Sequence, residues 1–458
     1  MLFADTTSHA LIGDERVDTG RSSVISCVIN LSCTCMGTGM LALPFALSMA
    51  GTTAGVILLV FSACICMLSL HMLVSSGRHV GTEDGPVNFA SLCCAALGPH
   101  AGIGIDVMVL ANCLGTATSY LIVAADCFSA AFNLPRGAVV LASLCATLPA
   151  AFFRSMDTLK ASSSVAICCL LGIVLMVLAF GLGTVPALDP CPRFSSVVHG
   201  HCGGHVTPFS SSARSIFCSL PYILMAFTCQ QNAFSVFNEL RRPTPARQCV
   251  VCIAAPLVPL ILYITIALCG YLTFGDRVPS NIINAYPRTS AVSTARCVLG
   301  VVVLCNYPLQ LFPCRVSALS LMRATCGARD AKAALRASSA SYATWAPPKP
   351  ATELFINEGR EVRLTYAFHL ATGTIALLVT DLGTVVAVVG STGSAIVSLV
   401  CPALAYAILL RRRNKVDGGQ KAGADGTGVG STLFMSFAAL LMLGLGAAVM
   451  PSSSFCGV

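Results

Sequence analysis

The stretch Gly37-Thr38-Gly39, followed by Pro44, sits inside an apolar run long enough to cross a bilayer, and it is the part of this 458-residue chain best placed to do chemistry. Glycine and proline at the middle of such a run break the helix. In hydrocarbon a break leaves backbone N–H and C=O groups unpaired unless the segment lines a cavity or is buried in protein. Free amides at the start of a half-helix attract an anionic group, so the stretch predicts a site for a small charged solute. A second interruption falls in a later apolar run, where Phe227-Thr228 leads into Gln230-Gln231-Asn232, with Pro221 as a further weak point upstream. Three consecutive amides point in different directions on a helix, so at least one must meet a polar partner or a cavity.

Other polar groups carry two readings each. Asn112, Thr116 and Tyr120 recur every four residues and share one helical face. That stripe could line a pathway or hydrogen-bond neighbouring helices. Asp106 and Asp126 fall near the ends of the same run, where a charge can reach the interface. His369 could titrate in a proton-coupled cycle or simply bond between helices. His199, His201, Cys202 and His205 could bind zinc or copper. They lack a recognised ligand spacing, and a lid tied by a Cys191–Cys202 disulfide is the plainer reading. Most of the 25 cysteines lie within apolar runs and read as small buried side chains. No nucleotide-binding glycine loop and no catalytic triad stands out, so neither catalytic residues, a cofactor nor a resident metal is assigned, and the chain does not read as an enzyme.

These groups must be positioned by membrane-spanning helices. Of all residues 55% are hydrophobic and 10% charged, against about 25% charged in an ordinary soluble domain. Apolar runs fall at about 23–49, 54–76, 102–128, 137–153, 161–183, 213–238, 249–274, 291–321, 362–380, 383–410 and 431–450, each near the roughly 20 residues needed to span. They predict an all-α integral membrane protein of eleven helices. The short fourth and ninth runs and the long eighth leave ten or twelve open. Residues 1–22 form a polar tail without a cleavable signal, and 451–458 a short C-terminal tail. Most of the 27 Lys and Arg residues fall in loops on one side, which places the N-terminus in the cytoplasm and, with an odd helix count, the C-terminus outside. The net charge of +8 is then inner-face anchoring rather than a nucleic-acid surface. Prolines 308 and 313 predict a kink in the eighth span, and Arg315 at its inner end is expected to snorkel. The small residues Gly390, Ser391, Gly393 and Ser394 permit close helix packing.

Two broken helices five spans apart are the pointer to an inverted-repeat transporter. Three segments, Gly37-Thr-Gly-Met-Leu-Ala-Leu-Pro44-Phe-Ala, Phe227-Thr-Cys-Gln-Gln-Asn through Asn238-Glu239-Leu240, and Asp381-Leu-Gly through Gly390-Ser-Thr-Gly393-Ser, resemble the amino acid/auxin permease family, which shares the LeuT-like fold. The segment Tyr307-Pro308-Leu309-Gln310 with Pro313-Cys-Arg315 looks most like the kinetoplastid branch. The resemblance implies a 5+5 inverted repeat plus one extra helix and an amino acid substrate. The carboxylate would be received at Gly37, Thr38 and Gly39, and the ammonium by carbonyls of the unwound segments. Selectivity would come from Phe227, Thr228, Gln230 and the stripe with Asn112 and Thr116. It implies a secondary transporter, with symport of H+ or Na+ open, in the plasma membrane ahead of a vacuolar or lysosomal one. The alternatives are a vacuolar or lysosomal exporter, a non-transporting amino acid receptor, and a metal transporter built on the His/Cys loop.

Overall fold

The computed structural model describes residues 22–80, 87–152, 160–182, 202–286, 289–326 and 359–417, with isolated positions between 442 and 449. Its first expected span is two helical pieces, α1 (Val24–Cys35) and α2 (Leu43–Ala50), joined through Met36, Gly37 and a tight turn of helix over Thr38–Ala42 and bent by 46°. Then follow α3 (Thr52–Val80), the short α4 (Phe89–Leu97), α5 (Pro99–Phe132), α6 (Arg136–Ala151) and α7 (Lys160–Leu182). The sixth span is again divided, into α8 (Ala213–Ala226) and α9 (Gln230–Glu239). The rest are α10 (Pro245–Phe274), α11 (Ser290–Cys326), α12 (Gly359–Leu378), α13 (Leu382–Val389) and α14 (Cys401–Asp417). Beyond one bridge between Ser22 and Leu240 there is no strand among the described residues. Among the described residues five helices are long and apolar enough to cross a membrane, and a sixth span is added if the bent pair is taken as one. The eleventh expected run, 431–450, apart from those isolated positions, the stretch 327–358 and both tails but for Ser22 lie outside the described residues.

Local chemistry sets the element ends. Gly98 closes α4 at a φ of 98°, and Pro99 opens α5. Thr244 caps α10, with Pro245 in its first turn. Between α13 and α14 the helix widens into two π-type stretches, Gly390–Ser394 and Ile396–Val400. A Cβ on Gly390 would lie 2.0 Å from the carbonyl oxygen of Pro221, so only glycine lets the widened helix meet α8. α8 runs unbroken through Pro221, and α11 is one continuous helix containing Pro308 and Pro313.

Three charges depart from expectation. α5 starts earlier than the apolar run suggests, so Asp106 sits about two turns inside it and is 4% exposed, packed between α4 and α11. Asp126 is likewise held in protein. It pairs with Arg136 of α6 and accepts from Asn281 Nδ2 at 2.9 Å and Asn284 Nδ2 at 3.2 Å. Arg315 does not snorkel: it is buried, and its Nη1 donates to the carbonyl of Ala151, where the negative end of the α6 dipole favours a cation.

The two faces of the bundle differ. On one, the segment after Cys202 is stitched to α10 and to the α2–α3 junction. The Cys202 N–H donates to Thr273 O at 2.8 Å, His205 N–H to Asp276 Oδ1 at 3.0 Å, and Thr53 N–H to Pro208 O at 2.9 Å. Cys202 and Cys218 are each disulfide-bonded, while Cys191, His199 and His201 lie outside the described residues. On the other face Ser22 donates to Glu239 O and accepts from Arg241 N–H, both at 2.9 Å. The start of the first broken helix is thereby tied to the end of the second.

Asp381 caps α13 on the stitched face, accepting from Thr384 N–H at 2.7 Å and Ser280 Oγ at 2.7 Å. Burial alone would raise its carboxyl, but these hydrogen bonds outweigh it and hold the group below its ordinary value. Its contribution to stability is therefore full above the ordinary carboxylate range and lost as pH falls through the lowered value. Asp381→Ala is expected to cost about 1 kcal/mol. Thermal melts of the two proteins should differ at neutral pH, begin to approach one another below about pH 4, and converge only below the lowered value of the Asp381 carboxyl.

Candidate functional site

The two helix breaks face each other in the interior. α1 ends at Cys35 and α8 at Ala226, and a single side chain from α10 serves both ends. The Tyr263 hydroxyl lies 2.6 Å from Cys35 O and 2.8 Å from Ala226 O. Carbonyls at a helix C-terminus have no partner within the helix, and this fully buried tyrosine supplies one. Its ring packs edge-on against Phe227 with centroids 5.0 Å apart. Gly39 fixes the approach of the two segments, because a Cβ there would lie 2.8 Å from Ala226 Cα. The glycine of the first break thus permits contact with the second.

Every site residue expected from the sequence at the breaks is buried. Thr38 Oγ1 is 2.5 Å from Ser119 Oγ of α5, and Gly37 lies under Tyr120, whose hydroxyl would be 2.7 Å from an added Cβ. Thr38 opens a tight helical turn, so its first amides have no carbonyl one turn earlier to bond. In the second break the Phe227 carbonyl accepts only thiol hydrogens, from Cys66 at 3.3 Å and Cys35 at 3.8 Å. Thiols are weak donors, so this oxygen keeps capacity for a stronger one. Gln230 is fully buried; its Oε1 accepts from Cys229 N–H at 3.0 Å and from Ser398 Oγ at 2.8 Å. Ser398 also lies 3.3 Å from Thr228 Oγ1. Of the next two amides, Gln231 reaches Gln310 of α11 at 3.5 Å and Asn232 reaches Thr34 of α1 at 3.5 Å. The side-chain oxygens of both are buried without a hydrogen-bond partner.

Asn112 and Thr116 are not brought to the breaks by hydrogen bonds. Thr116 Oγ1 bonds back to Asn112 O at 2.8 Å, and Asn112 Oδ1 accepts from Ser394 Oγ at 2.9 Å. The contribution of α5 to the breaks comes one turn later, from Ser119 and Tyr120. His369 bonds Thr365 O through Nδ1 at 3.0 Å and packs edge-on against Tyr307, away from the breaks. Residues that the sequence reading did not single out are Tyr263, Ser398, Cys66 and Ser119. Their one signal is a polar atom in mid-span, which in a bilayer needs a partner.

A cleft reaches the second break from the face that carries α4. It encloses about 40 Å³, and its lining includes Asn238 at the surface and Gln231 at depth. Buried donors aimed at helix-end carbonyls, an under-used carbonyl and orphaned amide oxygens make the arrangement suited to a small zwitterion. Tyr263→Phe removes the shared donor, leaving the buried Ala226 carbonyl without its hydroxyl and the Cys35 carbonyl with the Gly37 N–H alone, and is expected to lower stability by about 1–3 kcal/mol. The fall in melting temperature of the purified protein measures this; an unchanged melt would mean the carbonyls find other partners.

The profile described as "Transmembrane amino acid transporter protein" matches residues 20–422. "Vacuolar amino acid transporter 5" of Schizosaccharomyces pombe is 28% identical over 405 residues, 86% of each chain. "Vacuolar amino acid transporter 6" of Saccharomyces cerevisiae is 28% identical over 84% of this chain and 89% of its own. "Sodium-coupled neutral amino acid transporter 7" of Rattus norvegicus is 23% identical over 81% and 76%. Among solved structures, a manganese transporter of Eremococcus coleocola aligns over 94% of each chain at 11% identity and a TM-score of 0.47, too loose a likeness to bear on function. With the family profile covering the chain from the first helix to the end of α14, this protein belongs to the transmembrane amino acid transporter family.

Proposed function

We propose that the facing breaks around Gly37–Gly39 and Phe227–Gln230 hold the amino acid substrate and that it crosses by alternating access. Family membership carries the class: this is a multi-pass membrane transporter of amino acids rather than an enzyme. The observation that carries the site is the meeting of two interrupted spans in the interior, joined by Tyr263. The substrate carboxylate takes the amides of Thr38 and Gly39, and its ammonium takes the Phe227 carbonyl, whose present donors are thiols. A cleft that leads from one face toward the second break supports a cycle in which the site opens to each side in turn. The spacing of the breaks, five spans apart, supports a 5+5 inverted repeat with an eleventh helix beyond it. The loop charges support a cytoplasmic N-terminus, which makes the cleft face cytoplasmic.

Two relatives named as vacuolar transporters favour an organelle membrane over the plasma membrane expected from the sequence. The sodium-coupled relative keeps symport within the proposal. Uptake of a labelled amino acid panel by liposomes containing the purified protein, under imposed proton or sodium gradients, tests transport and identifies the driving ion. Gly37→Val forces a branched side chain into the Tyr120 hydroxyl and is expected to reduce uptake by more than about tenfold. Normal uptake by that variant would overturn the site, and saturable binding by the native chain without flux would favour a receptor.

A further inference from the structure

We propose that the cleft beside α9 is a second substrate subsite, in which the Asp106 carboxylate receives an ammonium or guanidinium group passing between the breaks and the open face. The proposal rests on the transport reading above. One wall of the cleft carries Gln231, Ser235 and Asn238, three or four residues apart on one face of α9. The other carries Asp106 of α5 with Ser317 and Ser320 of α11. The polar track thus runs the length of the cleft to the second break.

Two of its buried polar groups want the same kind of partner. Asp106 is 4% exposed on a helix that crosses the bilayer, and its hydrogen bonds come from the neutral hydroxyls of Ser317 and Ser320. Among the described residues no Lys, Arg or His stands within ion-pair distance of it. A carboxylate taken from water without a cation is costly, and in a membrane such a group marks a pathway more often than a structural accident. Gln231 is 5% exposed, and its Oε1 has no hydrogen-bond partner, while its Nε2 is directed to Thr228 O and Gln310 Oε1, each at 3.5 Å. Both unfilled groups are acceptors, so the missing ligand is a donor bearing positive charge. Asn238 Nδ2 donates to Val87 O at 3.1 Å across the mouth, which leaves the track narrow at its exit. The cationic group could be the α-ammonium that every amino acid carries or the side chain of a basic one.

The test is equilibrium binding and counterflow of labelled leucine and labelled arginine by the full chain in liposomes, for native protein, Asp106→Asn and Asp106→Glu. Failure of the native protein to bind or carry either would sink the transport reading before any variant is compared. Asp106→Asn is expected to weaken binding at least about tenfold, with partial recovery in Asp106→Glu. Loss for both ligands identifies the α-ammonium, and loss for arginine alone identifies the side chain; either supports the subsite. Unchanged affinity, or unchanged affinity with lost ion dependence, overturns it. Should Asp106→Asn not fold, native protein is treated with a carbodiimide and Asp106 modification is read by peptide mass spectrometry. Arginine or leucine should protect Asp106, and equal modification with and without both would overturn the proposal.

Discussion

Hydrocarbon supplies no hydrogen bonds, and that constraint governs this molecule from its helix ends inward. Each broken span leaves carbonyls at one end and amides at the other. The bundle answers the carbonyls with the Tyr263 hydroxyl and leaves the side-chain oxygens of Gln231 and Asn232 beside the second break unanswered. The glycines let the segments come close enough for one tyrosine to serve both: Gly39 has no room for a Cβ against α8. The widened helix after α13 belongs to the same solution. It sends Ser394 to α5 and Ser398 to the second break, and its glycine at 390 lies against α8. A helix of regular pitch would not be expected to hold all three contacts at these spacings.

Much of this was legible in the residues because the bilayer penalises exceptions so heavily. A Gly-Thr-Gly or a Gln-Gln-Asn block in an apolar run has few innocent meanings, and the structure breaks both helices beside those blocks. Proline does not by itself mark a break. Pro221, Pro308 and Pro313 lie within continuous helices, since losing one N–H is tolerated where the packed neighbours keep the turn in shape. Charge was misread for a different reason. Asp106 and Asp126 were assigned to helix ends from hydropathy, which underestimates a helix whose first turns are packed by α4 and whose last are held by Arg136. Hydropathy reports lipid contact and says nothing of burial against protein. Tyr263 and Ser398 were invisible for the complementary reason: a single hydroxyl in an apolar span barely changes hydropathy, and only the partner across the bundle gives it meaning.

In the proposed site recognition and support are separate. Amides around Thr38 and the Phe227 carbonyl are backbone groups, common to any side chain a substrate brings, whereas Gln230, Thr228 and Ser398 are linked through the Ser398 hydroxyl. Such a triad is stiff and costly to rearrange, because each member would strand another in a dry interior.

The bridge formed by Ser22 between the start of α1 and the end of α9 has a mechanical meaning. It consists of two backbone hydrogen bonds, and Ser22 itself is buried. The Tyr263 contacts couple the same two interrupted spans at their breaks. Tied at two points along their length, the two spans are hinged to one another, so a tilt of either is passed to the other.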